Sequence, residues 1–499
     1  MTPTSEQEDT FVPNVRGSSL KVLSVVAVFV LLISSAVAQT VTRLKNQPPD
    51  GVVYSFQLTD GTVLVQGGNC SDFWKLTPDN TGSYVNGTWK QVASLPAGYA
   101  PDATSSAVLA DGRVLIEGGE YSDCGGIFSL TNQGAIYDPV ANSWTTVPPP
   151  KGWKYIGDSP STVLANGNYL IGNKLTKQMR ELDPKTMTWS SAPSKGKSDF
   201  NAEEGWTLLA DGSVLTADVL NAPNSEIYSA AAKKHLWTTA GSTIVDLHSP
   251  SPDGCIPYGP KGKLCYYPPG EIGPQILRPD GTVFVAGSYT STGSGAGHTA
   301  IYDSVAGGWT VGPDFPNGDN AGDSFAVLLT NGTVLVEGDS GEGYIFNGTT
   351  LTSSAFTPGS LMVLPNGQVL VGGGTTSVYT SSGTYQSSWQ PTISSYPSSV
   401  TPGSTYEISG TQFNGLSQAA SFGDEFQTAT NYPLVQITNG STHHVFYART
   451  HDHSSMGVAT GTATVSTNFD VPTTIETGAS TLVVIANGIP SQPVSITVQ

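Results

Sequence analysis

The sequence predicts an all-β chain: a seven-bladed β-propeller followed by a C-terminal β-sandwich. Three observations predict it. A hairpin-centred pattern recurs seven times, with its turns at Asp60-Gly61, Asp111-Gly112, Asn166-Gly167, Asp211-Gly212, Asp280-Gly281, Asn331-Gly332 and Asn366-Gly367. The 499 residues are rich in glycine and proline, only 12% are charged, and no long segment has helical periodicity. At Pro391 the repeat stops and a different alternating pattern begins.

Each copy reads as in SFQLTDGTVLVQGG: an apolar run, Asp-Gly or Asn-Gly, and a second apolar run ending in glycine. Such dipeptides favour a tight hairpin with positive φ at both central residues. Runs of Val, Leu and Ile on both sides suit strands covered on both faces. One hairpin cannot bury that surface, so the copies must stack. The turns lie 35 to 69 residues apart, which brackets the length of a four-stranded blade. Outer strands follow in AIYDPVANSWTTVP (Tyr137, Trp144), ELDPKTMTWSSAP (Trp189), AIYDSVAGGWTVGP (Tyr302, Trp309) and the segment ending at Trp89. Gly-Gly followed by Tyr-Asp-Pro and Trp resembles the kelch repeat.

Residues 22–33 form a continuous apolar run after Arg16 and Lys21, and Ala36-Val37-Ala38 offers a cleavage site before Gln39. Residues 1–38 therefore read as a secretory signal peptide, or as an N-terminal membrane anchor. Either places the chain outside the cytoplasm: secreted, periplasmic or at the cell surface. Residues 39–51 read as a connector, 52–390 as the propeller and 391–499 as the C-terminal domain. A net charge of −18 argues against nucleic acid and against membrane contact beyond the N-terminal segment. Four cysteines suit an oxidising compartment. Cys255 and Cys265 bracket a short loop, and Cys70 and Cys124 occupy equivalent places in neighbouring repeats, so disulfides Cys255–Cys265 and Cys70–Cys124 are expected. Free buried thiols are the alternative.

After Pro391, YEISGTQF, TATVSTNFDVPTTI and STLVVIANGIPSQPVSITVQ alternate as the strands of one sandwich of about 110 residues. Blades followed by TPG, YEISGTQFNGLSQ and ANGIPSQPVSITV resemble the galactose oxidase and glyoxal oxidase superfamily, in which a seven-bladed kelch propeller precedes an early-set, immunoglobulin-like domain. That resemblance implies a mononuclear copper site with a Cys–Tyr cross-link, a Tyr-His pair and a histidine from a C-terminal loop. Only His443 matches, in NGSTHHVF. Thr357 and Pro358 stand where the Tyr-His pair belongs, and no cysteine leads into an inner strand. Copper and radical oxidation are therefore not expected.

Acids stand there instead. Eight or nine residues before the turns lie Asp102, Asp158, Glu203 (with Glu204 beside it), Glu271 and Asp323. In a propeller these points begin the innermost strands at one mouth of the channel. Carboxylates brought together there raise one another's pKa unless a cation or donors relieve them. One reading is a site for a divalent cation or an extracellular ligand; the other is that each acid accepts hydrogen bonds and staples adjacent blades. His451 and His453 alternate on one strand and, with His443, are candidates to hold a transition metal facing the acids. Trp153, Tyr155, Trp206, Tyr266 and Tyr267 lie near the same segments and are candidates to stack on a sugar, or are packing residues. His248 and His298 read as ordinary loop residues. The expected function is binding of a carbohydrate or other extracellular ligand at the axial mouth. Metal-dependent oxidation or lysis of sugars or aldehydes, and a scaffold without a small-molecule site, are the alternatives.

Overall fold

In the computed structural model, residues 39–124, 126–230, 236–251, 254–289, 296–422 and 428–499 are described; the N-terminal segment 1–38 lies outside them. Among the described residues every regular element is a strand or a short 3₁₀ turn. None is a helix long and apolar enough to cross a membrane.

Seven antiparallel sheets follow one another; the repeats supply four strands to each of the first six and three to the seventh. Their first strands are Ser55–Gln57, Ser105–Val108, Ser161–Val163, Thr207–Leu208, Gln275–Leu277, Phe325–Leu328 and Leu361–Val363, all fully or mostly buried. The first strand of the first sheet lies against the first strand of the seventh, so the series returns on itself. Strand pairing between the two ends of the repeat region also closes the series. Thr40–Arg43, in the segment read as a connector, pairs with Ser377–Thr380 and supplies the outermost strand of the seventh sheet. The physical reason is that the seventh repeat supplies only three strands, and its edge would otherwise stand open.

All seven hairpins form, but not with the turn expected. Gly61, Gly112, Gly167, Gly212, Gly281, Gly332 and Gly367 have φ between +75° and +88°, while the Asp or Asn before each does not have positive φ. At the first turn Gly61 N donates to Leu58 O, and Leu58 N donates to Thr62 O. That is a tight turn closed by a left-handed glycine, the bulged three-residue hairpin. The Asp or Asn is selected for its side chain, whose oxygen accepts the N–H two residues on in all seven copies. The outer-strand tryptophans tie neighbours together. The indole N–H groups of Trp89, Trp144, Trp189 and Trp309 donate to Asn46, Ala93, Pro148 and Ala240 carbonyls of the preceding sheet or segment.

Beyond residue 391 a nine-stranded sheet with an off-path strand encloses its own core, including Val400, Ile408, Phe413, Val435 and Phe469. Its strands meet the turns of the repeats: Tyr447 lies against Gly61, His453 N donates to Ala110 O, and Met456 N donates to Ala165 O. One excursion does more. Ala420–Phe422 pairs antiparallel with Phe325–Leu328, the innermost strand of the sixth sheet. On the way, Gln418 accepts from the Leu208 backbone N–H of the fourth sheet and donates to Thr162 Oγ1 of the third. A strand of the C-terminal region thus runs along the innermost strands, from the face bearing the turns towards the opposite, acidic face.

Both expected disulfides are present, Cys70–Cys124 and Cys255–Cys265, each with Cα atoms 5.4 Å apart.

Candidate functional site

The acids begin the innermost strands because the chain turns there through left-handed backbone. Glu203 has φ 57° and Asp323 φ 43°, and Gly157 and Gly270, just before Asp158 and Glu271, have φ 79° and 105°. These conformations cost side-chain-bearing residues free energy. They turn the carboxyl groups toward one another at the acidic face.

At the centre is a residue that the sequence reading missed. Lys174 is fully buried, with its Nζ 2.5 and 2.6 Å from the two Asp158 oxygens, 2.7 Å from Glu203 Oε1 and 3.0 Å from Glu120 Oε1. Three carboxylate oxygens that lie close enough together to hold a metal ion hold an ammonium instead. Burial pulls the Lys174 pKa down, but the charges of Asp158, Glu203 and Glu120 outweigh it and keep it well above the ordinary value. Tyr266 roofs the ammonium, its ring centroid 5.0 Å from Nζ and its hydroxyl donating to Glu203 Oε1 at 2.5 Å. Burial and then the Glu203 charge push the Tyr266 phenol up.

Glu271 and Asp323 complete the cluster. The Cβ of Glu271 lies beside Gly322, and Asp323 N donates to Ile272 O. Burial, then repulsion from Glu203 and Asp323, raises Glu271. Asp323 is also raised, by desolvation and then by Glu203. Its side chain also hydrogen-bonds to that of Glu271. Five carboxyl groups therefore gather around one lysine, three of them in direct contact with it.

The other expected positions separate. Asp102 accepts from Tyr54 OH of the first sheet and from its own neighbour Ala103 N, an interblade staple rather than a contact to Lys174. Glu204 points away from Glu203 into a second closed cage, where Lys197 Nζ lies 2.7 Å from Glu204 and 2.8 Å from Glu226. The chain turns through left-handed backbone at Glu203, so the two side chains leave it in different directions. Asp218 borders this cage and is pushed up to about 7 by burial, with Lys197 opposing and Glu226 adding. Trp153 and Trp206 are buried: Trp153 donates to Gln178 Oε1 and packs under Arg180, and Trp206 packs on Trp237. They are core residues, not a sugar platform.

The histidines do not converge on the acids. His443 sits in the Asn439–Val445 connection of the C-terminal sheet, exposed, with φ 61°. It is not carried by the strand that reaches inward; Gln418 to Phe422 are. His451 bonds Asp452 and Asp470. His453 is buried against Tyr432 and Thr467 Oγ1, and burial lowers its pKa to about 3. Its backbone meets Ala110, beside the Asp111-Gly112 turn, at the opposite end of the strand from Asp102. A metal joining these histidines to the acidic ring is excluded by that placement. His248 and His298 pair with Asp246 and Asp314. The Lys174 cluster contains no imidazole or thiolate, and all four cysteines are in disulfides. These donors do not fit a mononuclear copper-radical centre.

Two hairpins overhang the cluster. Tyr121–Ser122 with Ile127–Phe128 carries Cys124, tied to Cys70. Ile256–Tyr258 with Leu264–Tyr266 is closed by Cys255–Cys265. They meet where Phe128 stacks on Tyr266 with ring centroids 5.9 Å apart. Tyr155 packs edge-on to Tyr258, and Tyr267, next to Tyr266 in the chain, is 68% exposed. Each disulfide thus fixes one wall of an aromatic rim above the buried lysine.

No protein-family model matches the chain. Over 89 residues it is 36% identical to galactose oxidase of Gibberella zeae, which is 18% of this chain and 12% of that enzyme. Over 88 residues it is 31% identical to Kelch-like protein terF of Aspergillus terreus, 18% of each. The matches span less than a fifth of either relative. Among solved structures, a fungal alcohol oxidase of the AA5 family in complex with copper aligns over 92% of this chain and 100% of that one, at 15% identity and a TM-score of 0.49. YCF48 bound to D1 peptide aligns over 70% and 96%, at 11% identity and a TM-score of 0.45. The sequence relatives, together with the all-β architecture, give the chain a galactose oxidase-like kelch fold.

Proposed function

We propose that the chain is an exported galactose oxidase-like protein that binds a carbohydrate at the acidic mouth of a seven-bladed propeller, and that it is not a copper-radical oxidase. The seven returning sheets support the blade count, and the separately cored C-terminal sheet supports an early-set, immunoglobulin-like domain. The disulfides are compatible with an extracellular location. The observation that carries the functional reading is Lys174, whose ammonium occupies the Asp158, Glu203 and Glu120 cluster, where those carboxylates could otherwise hold a metal ion. The neighbouring groups suit sugar recognition. Carboxyl oxygens accept from hydroxyls, and exposed Tyr267 offers a face for stacking.

Binding to a panel of oligosaccharides tests this, with residues 39–499 as wild type and as Tyr267→Ala. Asp158 and Glu203 are unsuitable first targets, because removing either leaves the buried lysine underpaired. The reading expects a ligand from the panel whose affinity falls at least fivefold in Tyr267→Ala with unchanged thermal unfolding. Copper-dependent turnover of a sugar, or binding indifferent to Tyr267, overturns it.

A further inference from the structure

The two disulfides differ in what they are tied to. Cys70 is fully buried and built into the first sheet, its N donating to Gly67 O and its carbonyl accepting from Gln66 Nε2. Cys255 and Cys265 are both exposed. They close Ile256–Tyr258 against Leu264–Tyr266, a two-stranded sheet that joins no blade. Among the described residues, no backbone hydrogen bond runs from residues 254–266 to the rest of the chain. Two strands alone are marginally stable in water. The cross-link and a few side chains therefore hold this hairpin in place.

The chief of those side chains is Tyr266, next to Cys265 in the chain. It is buried, its hydroxyl donates to Glu203 Oε1, its ring centroid lies 5.0 Å from Lys174 Nζ, and it stacks on Phe128. The residue that covers the buried ammonium is thus carried by the one hairpin whose disulfide is open to solvent at both cysteines. The cysteines are 10 residues apart, and closing a loop of that length favours the ordered hairpin over the open one by roughly a hundredfold.

We propose that the Cys255–Cys265 hairpin is a redox-held lid: the disulfide keeps Tyr266 over Lys174, and its reduction frees the hairpin and uncovers the ammonium and its carboxylates. The reductant is a dithiol, which supplies two electrons and two protons. One of its thiolates attacks an exposed sulfur and breaks the Cys255–Cys265 bond. Its second thiol then resolves the mixed disulfide, leaving two cysteine thiols and the reductant as its own disulfide. Accessibility sets the order of reduction. Cys255–Cys265 opens before Cys70–Cys124, whose Cys70 is enclosed by the first sheet, so the wall that carries Phe128 stays fixed.

The test uses residues 39–499, reduced with increasing dithiothreitol, alkylated with iodoacetamide, freed of reagent and then acylated with an amine-reactive succinimidyl ester. Peptide mass spectrometry reads which cysteines have opened and how fast each lysine is labelled. Lys197, buried in its own cage, is the internal control. Where Cys255–Cys265 alone has opened, Lys174 should be labelled at least about tenfold faster than in the oxidised protein, with Lys197 unchanged. The double variant Cys255→Ser/Cys265→Ser should show the same labelling without reductant, and Tyr266→Ala should show it with the disulfide intact. Lys174 that stays protected after reduction, or in the double variant, overturns the proposal. Labelling of Lys174 and Lys197 together means unfolding rather than a lid and overturns it too, as does reduction of Cys70–Cys124 first.

Discussion

Glu203 and Glu204 are adjacent in sequence and end in two different lysine cages. Lys174 and Lys197 are both fully buried, both contact carboxylates at 2.5 to 3.0 Å, and both lie 5.0 Å from an aromatic centroid, Tyr266 and Trp237. One cage is internal to the fourth sheet and its approach, with Glu226 and Ser198 closing it. The other draws Glu120, Asp158, Glu203 and the Tyr266 hydroxyl from different sheets and connections, and continues outward through Glu271 and Asp323. The same chemistry is enclosed in one place and, in the other, lies beneath a face that carries further acids. What separates the two is whether acid in excess of the lysine reaches solvent.

The largest expected effect breaks the closed cage. Lys197→Met leaves Glu204, Glu226 and Asp218 buried without a cation, and losing one partner of a buried pair costs about 3–5 kcal/mol. Glu204, already raised by burial despite Lys197, has no route to water. The variant should unfold at markedly lower temperature from pH 5 to pH 8. Lys174→Met should behave differently, because Glu120, one of its acids, is only half-buried and is raised by burial, so it can take up a proton. Its loss should be smaller at pH 5 than at pH 8. Thermal unfolding of both variants at the two pH values checks the contrast; equal, pH-independent losses would make both cages merely structural.

A smaller effect sharpens the comparison from inside the closed cage. Asp218 has a folded pKa of about 7 against 3.8 for the ordinary group. A carboxyl raised on folding binds its proton more tightly in the native state, so its contribution favours folding at low pH and is lost between pH 4 and 7. Asp218→Asn should flatten the fall in stability over that window and leave the variant more stable than the wild type at pH 8. An unaltered slope in urea unfolding at pH 5 and pH 8 would assign the titration to another group.

Much of this was legible in the sequence, unevenly. The seven turns were, because Asp or Asn before Gly is required by two backbone facts at once: a left-handed glycine and an N–H needing a side-chain acceptor. The meeting of the acids was also legible, by counting back from the turns. Their compensation was not. Lys174 lies eight residues after Asn166, at the position where Gly68, Gly119 and Gly374 stand in other repeats, and Glu120 comes immediately after one of those glycines. A lysine in a glycine column was the available signal, but its meaning depends on which neighbouring strands bring carboxylates to it. The histidines misled for a related reason. Alternation in THHVFYARTHDH showed a shared strand face, whereas the face of the propeller that it meets is set by long-range docking of the C-terminal sheet on the turns. The inward strand Ala420–Phe422 carries no motif at all; it pairs through its backbone.

His453 gives the next prediction, on the turn face. It is neutral and buried, with a folded pKa of about 3 against 6.5 for the ordinary group. The unfolded chain binds its proton first, so folding loses stability as pH falls from about 6.5 toward 3. His453→Gln should reduce that acid sensitivity without altering ligand binding at the acidic face, which calorimetry and acid unfolding can separate. An effect on binding would mean that the two faces communicate through the inward strand.

The smallest effect isolates the turns that support both faces. Gly367 has φ +80°, and a Cβ there would come 3.1 Å from Gly488 O of the docked C-terminal strand connection. Gly367→Ala should therefore cost about 1 kcal/mol or slightly more, from the left-handed backbone and the close carbonyl together. Gly281 has φ +83° but meets nothing closer than 3.5 Å, so Gly281→Ala should show the backbone cost alone. The difference between the two losses measures how tightly the C-terminal sheet seats on the turn face. Equal losses would show that this docking gives way locally, and that the turns are held by their own Asp and Asn side chains rather than by the domain above them.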